Sequence, residues 1–245
     1  MRWEAMVQGI LKQLGVEIHR TLPGAHYMTC APFAYSTYRP WFESPFQRIY
    51  APIAERTDVT PDRAYVLREL CFQSLPIEGD AAECGVYRGG TAFLLADIFA
   101  RQTSRPVALH LFDTFSGMPA SANEDPSAHR EGDFGDTSLS DVQRYLAGFS
   151  NVIFHPGLIP GTFTGVVMQR FAFVHIDVDL YRSVRDCCEF FYPRLSPGGY
   201  MVFDDYGFAQ YRNSARKAVD EFFDSTPERP LVLSTGQCVV LKRGR

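Results

Sequence analysis

From Ala81 onward, short apolar runs alternate with segments of helical period, and few folds accommodate that rhythm. The runs AAECGV, VALHLF, NVIFH, FAFVHI and YMVF have the length of buried strands, and TAFLLADIFARQ, SLSDVQRYLAGF and SVRDCCEFFYPRL are helical segments set among them. A further helix, SARKAVDEFF, precedes LVLSTG and CVVLKR, which read as a closing pair of strands. Parallel strands joined through helices cross over right-handed, so the pattern predicts an α/β fold. Its sheet is seven-stranded and mostly parallel, with helices on both faces. Ligands of such sheets bind outside the carboxyl ends of the strands.

The chain has 245 residues, 46% of them hydrophobic and 14% aromatic, which is ample material for one large core. Trp3, Met6, Val7, Ile10, Leu11 and Leu14 predict an amphipathic helix over 3–14 that Gly15 stops. Residues 27–53 are dense in aromatics and prolines without a period, and read as irregular structure over the core, as a lid, or against a second subunit. The aromatics of 33–50 read as packing by default, and otherwise as a sugar-stacking wall or a dimer contact. Thr60-Pro61-Asp62 then predicts a helix N-cap with proline at the first helical position, the helix running to about Leu75. The expected division is an N-terminal extension over 1–60 and one domain over 61–245. The single long connection, 119–137, reads as a lid or a disordered loop.

A net charge of -4, from 24 basic and 28 acidic residues with no basic run, argues against nucleic acid as a partner. No apolar stretch is long enough for a signal peptide or a membrane span, so the expectation is a soluble cytoplasmic protein. The six cysteines show no C-x-x-C spacing and read as buried thiols in a reducing compartment, not as a zinc site or disulfide framework.

The first predicted strand runs into ECGVYRGGT, a glycine turn before a helix of the kind that lets backbone approach a ligand closely. Tyr87 stands where a dinucleotide fingerprint needs its second glycine, which argues against NAD. A ligand with a ribose and an amino-acid end, without phosphates, suits the turn better. The second strand ends at Asp113, a position from which a carboxylate accepts hydrogen bonds from ribose hydroxyls. The fourth ends with Asp177 and Asp179, the fifth with Asp204 and Asp205, and one crossover helix joins the two. Four carboxylates brought together raise one another's pKa and destabilise the fold unless a cation joins them. A hard divalent ion such as Mg²⁺ meets that need. The other reading is a strand exit neutralised by Arg182 and Arg185.

Five motifs in order, with Ala215-Arg216-Lys217-Ala218-Val219-Asp220 after them, carry a family resemblance. They are Glu83-x-Gly85-Val86-Tyr87-Arg88-Gly89-Gly90, Phe112-Asp113-Thr114-Phe115-x-Gly117-Met118-Pro119, Gly132-Asp133-Phe134-x-Asp136-Thr137-Ser138, His175-Ile176-Asp177-x-Asp179-Leu180-Tyr181 and Phe203-Asp204-Asp205-Tyr206-Gly207. Together they resemble the macrocin O-methyltransferases, which methylate sugars of natural products. The resemblance covers roughly residues 75–225. It implies a class I, Rossmann-like methyltransferase fold, S-adenosylmethionine as methyl donor, Mg²⁺ as cofactor and a homodimer. Carried over residue by residue, it implies metal ligands at Asp177, Asp204 and Asp205. It also implies donor contacts from Glu83, Gly85, Val86, Tyr87, Arg88, Gly89, Asp113, Thr114, Ser138 and Asp177.

The acceptor is then a hydroxyl of a sugar or other secondary metabolite, with Asp179 or Asp177 receiving its proton. A phenol, catechol or nitrogen acceptor on the same fold is the second reading, and a nucleotide-binding oxidoreductase or an adenosine sensor is the third. His175, inside its strand, reads as a buried histidine with a hydrogen-bond partner. His129 and Asp133 of the long loop either close over substrate or stay solvated. Tyr181 and Tyr206 read as packing residues, and Cys187 and Cys188 as core-facing.

Overall fold

A computed structural model describes residues 38–101, 105–123, 125–126 and 129–244. The expected helix over 3–14, and the part of the aromatic stretch before residue 38, lie outside the described residues. Seven strands pair in the order β3-β2-β1-β4-β5-β7-β6: β1 Asp80–Cys84, β2 Leu109–Asp113, β3 Val152–Pro156, β4 Phe171–Ile176, β5 Leu195–Phe203, β6 Leu231–Val232 and β7 Cys238–Leu241. Strands β1 to β5 run parallel, and β7 lies antiparallel between β5 and β6. The order reverses between β1 and β4, which leaves a crevice at their carboxyl ends. This is the α/β, Rossmann-like sheet that the alternation predicts.

Among the described residues the α-helices are α1 Ser44–Tyr50, α2 Pro61–Ser74, α3 Gly90–Arg101, α4 Leu139–Tyr145, α5 Tyr181–Phe191 and α6 Ala215–Phe223. Two apolar layers flank the sheet. One holds Phe46, Leu67, Leu95, Phe99 and Phe173, and the other Phe112, Phe163, Phe191, Phe203 and Phe223. Cys187 and Cys188 are both buried in the second layer, as expected.

Three expectations change. Residues 44–50 form a helix and not irregular structure; Phe46 is its only buried residue, so no helical period marks it in the sequence. Phe46, Ile53 and Val59 are core residues, so 38–60 pack with the domain instead of forming part of a separate extension. Strand β5 begins at Leu195 and not Tyr200, because an irregularity in its pairing with β4 absorbs Pro197-Gly198-Gly199, with Gly198 at φ +85°. Helix α2 starts at Pro61 as predicted, but the Thr60 side chain makes no cap hydrogen bond and turns to Asp62.

Candidate active site

Strand register brings the acids together. Ile176 of β4 pairs with Phe203 of β5, so Asp177 and Asp204 leave neighbouring strands at the same level, and the Asp204 amide donates to the Ile176 carbonyl at 2.9 Å. One carboxylate oxygen from each of Asp177, Asp204 and Asp205 lies within 4.8 Å of the others. Burial, followed by the negative charge of Asp204, holds the Asp177 carboxyl well above its usual range. Asp205 is raised likewise by burial and by Asp179, Asp177 and Asp204. Asp204 behaves oppositely: burial is outweighed by His175, Arg63 and Gln237, and its pKa is lowered.

The groups that compensate Asp204 reach it from the face that α2 covers. Strand alternation puts Glu83, His175, Val202 and Asp204 on that face. His175 Nδ1 is 2.9 Å from Glu83 Oε1, and its Nε2 lies 3.8 Å from Asp204 Oδ1. Burial alone would lower the His175 pKa, but Asp204 and Glu83 raise it to about 10. Gln237 Nε2 donates to Asp204 Oδ1 at 2.9 Å. Arg63, from the first turn of α2, forms an ion pair with Asp204 Oδ2. The expected counter-ions are not used there: Arg182 pairs with Asp186 and Arg185 with Glu189, each along α5.

Beside the acids opens a cavity of about 440 Å³, lined among others by Gly85, Val86, Tyr87, Asp113, Thr114, Asp177, Asp179 and Asp205. Its size suits a small-molecule ligand. Glycine is required at residue 85: φ is +87°, and a Cβ there would sit 1.7 Å from the Asp177 carbonyl oxygen. The turn after β1 and the exit of β4 are thus in contact. Tyr87 takes a left-handed backbone, φ +52°, where the fingerprint has its second glycine. Asp179 (φ +56°) and Phe134 (φ +59°) also line the cavity with a conformation that costs a side-chain-bearing residue energy.

Asp113 Oδ2 accepts from the Val86 and Tyr87 amides at 2.6 and 2.9 Å, and Oδ1 from the Phe115 amide at 2.7 Å. The carboxylate therefore fixes the turn after β1 while it lines the cavity. Four other residues expected at the donor do not line it. Glu83 is fully buried against His175, and Arg88 pairs with Asp136. Gly89 faces Val142, and Ser138 caps α4 by accepting from the Asp141 amide at 3.2 Å.

The long loop reaches the site. His129 Nε2 is 2.8 Å from the Tyr211 hydroxyl and 3.7 Å from Asp179 Oδ1, while its Nδ1 lies 3.7 Å from Asp133. Burial raises the Asp179 carboxyl, opposed by Tyr211 and His129. The Tyr181 and Tyr206 hydroxyls bond to Glu221 and Asp220 on α6. Sequence reasoning missed Arg63, Tyr211 and Gln237; each lies on a segment without a motif, and only the fold brings it to the strand ends.

The donor set fits a hard cation: three carboxylates converge, and two of them carry charge that their surroundings disfavour. The cavity fits a nucleoside ligand, with glycine at the point of close approach and mostly apolar walls. Residues 64–238 match the family described as macrocin-O-methyltransferase (TylF). The chain is 29% identical over 156 residues to the 8-demethyl-8-(2,3-dimethoxy-alpha-L-rhamnosyl)-tetracenomycin-C 4'-O-methyltransferase of Streptomyces olivaceus, covering 60% of this chain and 58% of that protein. It is 31% identical over 160 residues to the mycinamicin III 3''-O-methyltransferase of Micromonospora griseorubida, covering 60% and 61%. The match therefore spans about three fifths of the length of these relatives. The structure of the O-methyltransferase NovP shares the fold, with a TM-score of 0.69 at 24% identity over 77% of this chain and 83% of that one. Because the family match takes in β1 to β5 and the acids at their ends, the chain belongs to the macrocin-O-methyltransferase family.

Proposed function

We propose that the protein transfers a methyl group from S-adenosylmethionine to a hydroxyl on a sugar of a natural product, with Mg²⁺ held by Asp177, Asp204 and Asp205. The observation that carries this reading is the convergence of three carboxylates beside a cavity that the glycine turn after β1 also lines. The relatives named for a rhamnosyl-tetracenomycin and for mycinamicin III support a glycosylated acceptor.

Gly85, Val86 and Tyr87 would hold the donor, with Asp113 and Thr114 beside it. Transfer from a sulfonium is an in-line displacement, so the walls must align acceptor oxygen, methyl carbon and sulfur. The acceptor hydroxyl is a poor nucleophile. Its pKa, like that of water, is near ~15.7 against ~4 for a carboxylate, a gap worth about 16 kcal/mol. A divalent cation supplies the Lewis acidity that lowers such a barrier. Asp179 borders the cavity beside the acids and would take the proton, with Tyr211 and His129 next to it.

The test is incubation with S-adenosylmethionine and a panel of glycosylated natural products with free sugar hydroxyls, with and without EDTA, followed by mass spectrometry. Methylated product that disappears with EDTA supports the reading. Methylation confined to phenols or amines would move the acceptor class, and EDTA-resistant turnover would remove the metal.

A further inference from the structure

Among the positive charges beside the acidic cluster, one belongs to an arginine paired directly with Asp204. Arg63 forms an ion pair with Asp204 through Nη1, and the two side chains are only 12% and 0% exposed. Screening by solvent and salt is weak at such a pair. Two of its other donors are also engaged: Nη2 donates to the Asp58 carbonyl at 2.6 Å and Nε to Thr60 Oγ1 at 3.1 Å. The guanidinium is therefore held in place by the turn before α2 and is not free to swing away. Its carbon also lies 5.4 Å from the centre of the Phe208 ring, on the cavity wall.

We propose that Arg63 is a built-in counter-ion that competes with a divalent cation for Asp204, so that this arginine sets how tightly the site takes its metal. The inference rests on the metal reading above. Two like charges drawn to one carboxylate repel each other, and the weaker the screening the larger the effect. Asp204 does not depend on Arg63 for its position, because the Gln237 amide donates to its other oxygen and its own amide bonds to Ile176. Removing the guanidinium charge thus removes a competitor while the ligand stays where β5 places it. A residue that only oriented Asp204 would have the opposite effect.

The test is calorimetric titration of the full chain with MgCl₂, backed by Mn²⁺ binding followed by electron paramagnetic resonance. Two neutral variants, Arg63→Met and Arg63→Gln, are compared with the charge-keeping Arg63→Lys, each checked for folding by circular dichroism. Either neutral variant that folds provides the reading. The expected result is Mg²⁺ binding at least about tenfold tighter in the neutral variants, or ~1.4 kcal/mol, with Arg63→Lys close to wild type. Wild-type binding with equal or weaker affinity in the neutral variants overturns the competition and leaves the metal site standing. Absence of Mg²⁺ binding in wild type and neutral variants alike overturns both.

Discussion

At Asp204 one carboxylate meets Arg63, Gln237 and His175 while it faces the other acids. Asp204→Ala should abolish Mg²⁺ binding and lower turnover by more than the ~10–100-fold that loss of an outer-shell partner costs. Turnover within a factor of two of wild type would refute the assignment of Asp204 to the metal. Arg63→Met leaves the buried Asp204 without its ion pair, and without metal it should cost about 3–5 kcal/mol of stability. Chemical denaturation in EDTA measures that loss, and Mg²⁺ should restore more of it in the variant than it adds to wild type. Gly85→Ala forces a Cβ onto the Asp177 carbonyl. It should cost more than ~1 kcal/mol and weaken Mg²⁺ binding as well, since the same backbone carries a proposed ligand.

Elements explain why the site lies where it does. The strand-end acids are legible because one crossover helix joins β4 and β5, which lets them be neighbours, and their pairing brings residues 177 and 204 out side by side. Arg63 was not legible. It is separated from Asp204 by 141 positions and reaches it only because α2 packs across the sheet. The resemblance implies a donor contact at Glu83, whereas strand alternation turns its side chain to His175 beneath the acids. The helix over 44–50 was missed because it buries one residue and so lacks an apolar period. The long loop also ties elements together. Asp125 Oδ1 accepts from the Tyr181 amide at 2.8 Å and so caps α5, although it is distant in sequence. Asp125→Ala should cost roughly 1 kcal/mol, as loss of a helix cap does, and speed hydrogen exchange in the first turn of α5. Unchanged exchange there would show that the cap contributes nothing.

For the whole molecule, the buried acids make stability depend on pH and on metal. His175 has its pKa raised to about 10, and Asp177 and Asp205 are raised as well. A group whose folded pKa lies above its unfolded value binds more protons in the folded state, so its stabilising effect is lost as pH rises through the folded pKa. Metal-free protein should therefore lose stability between about pH 6.5, where an unfolded histidine titrates, and about pH 10. A melting temperature that rises over this range in EDTA would contradict the charge balance described for the site. Saturating Mg²⁺ should act the other way, adding about 2.7 kcal/mol at a hundredfold excess over its Kd.

The central claim is that the glycine turn and the strand-end acids form one site for a methyl donor and a divalent ion. Its most direct test is isothermal titration of the protein with S-adenosylhomocysteine and with NAD, in Mg²⁺. The account predicts one-to-one binding of S-adenosylhomocysteine and no heat from NAD. Binding of NAD without S-adenosylhomocysteine would contradict it.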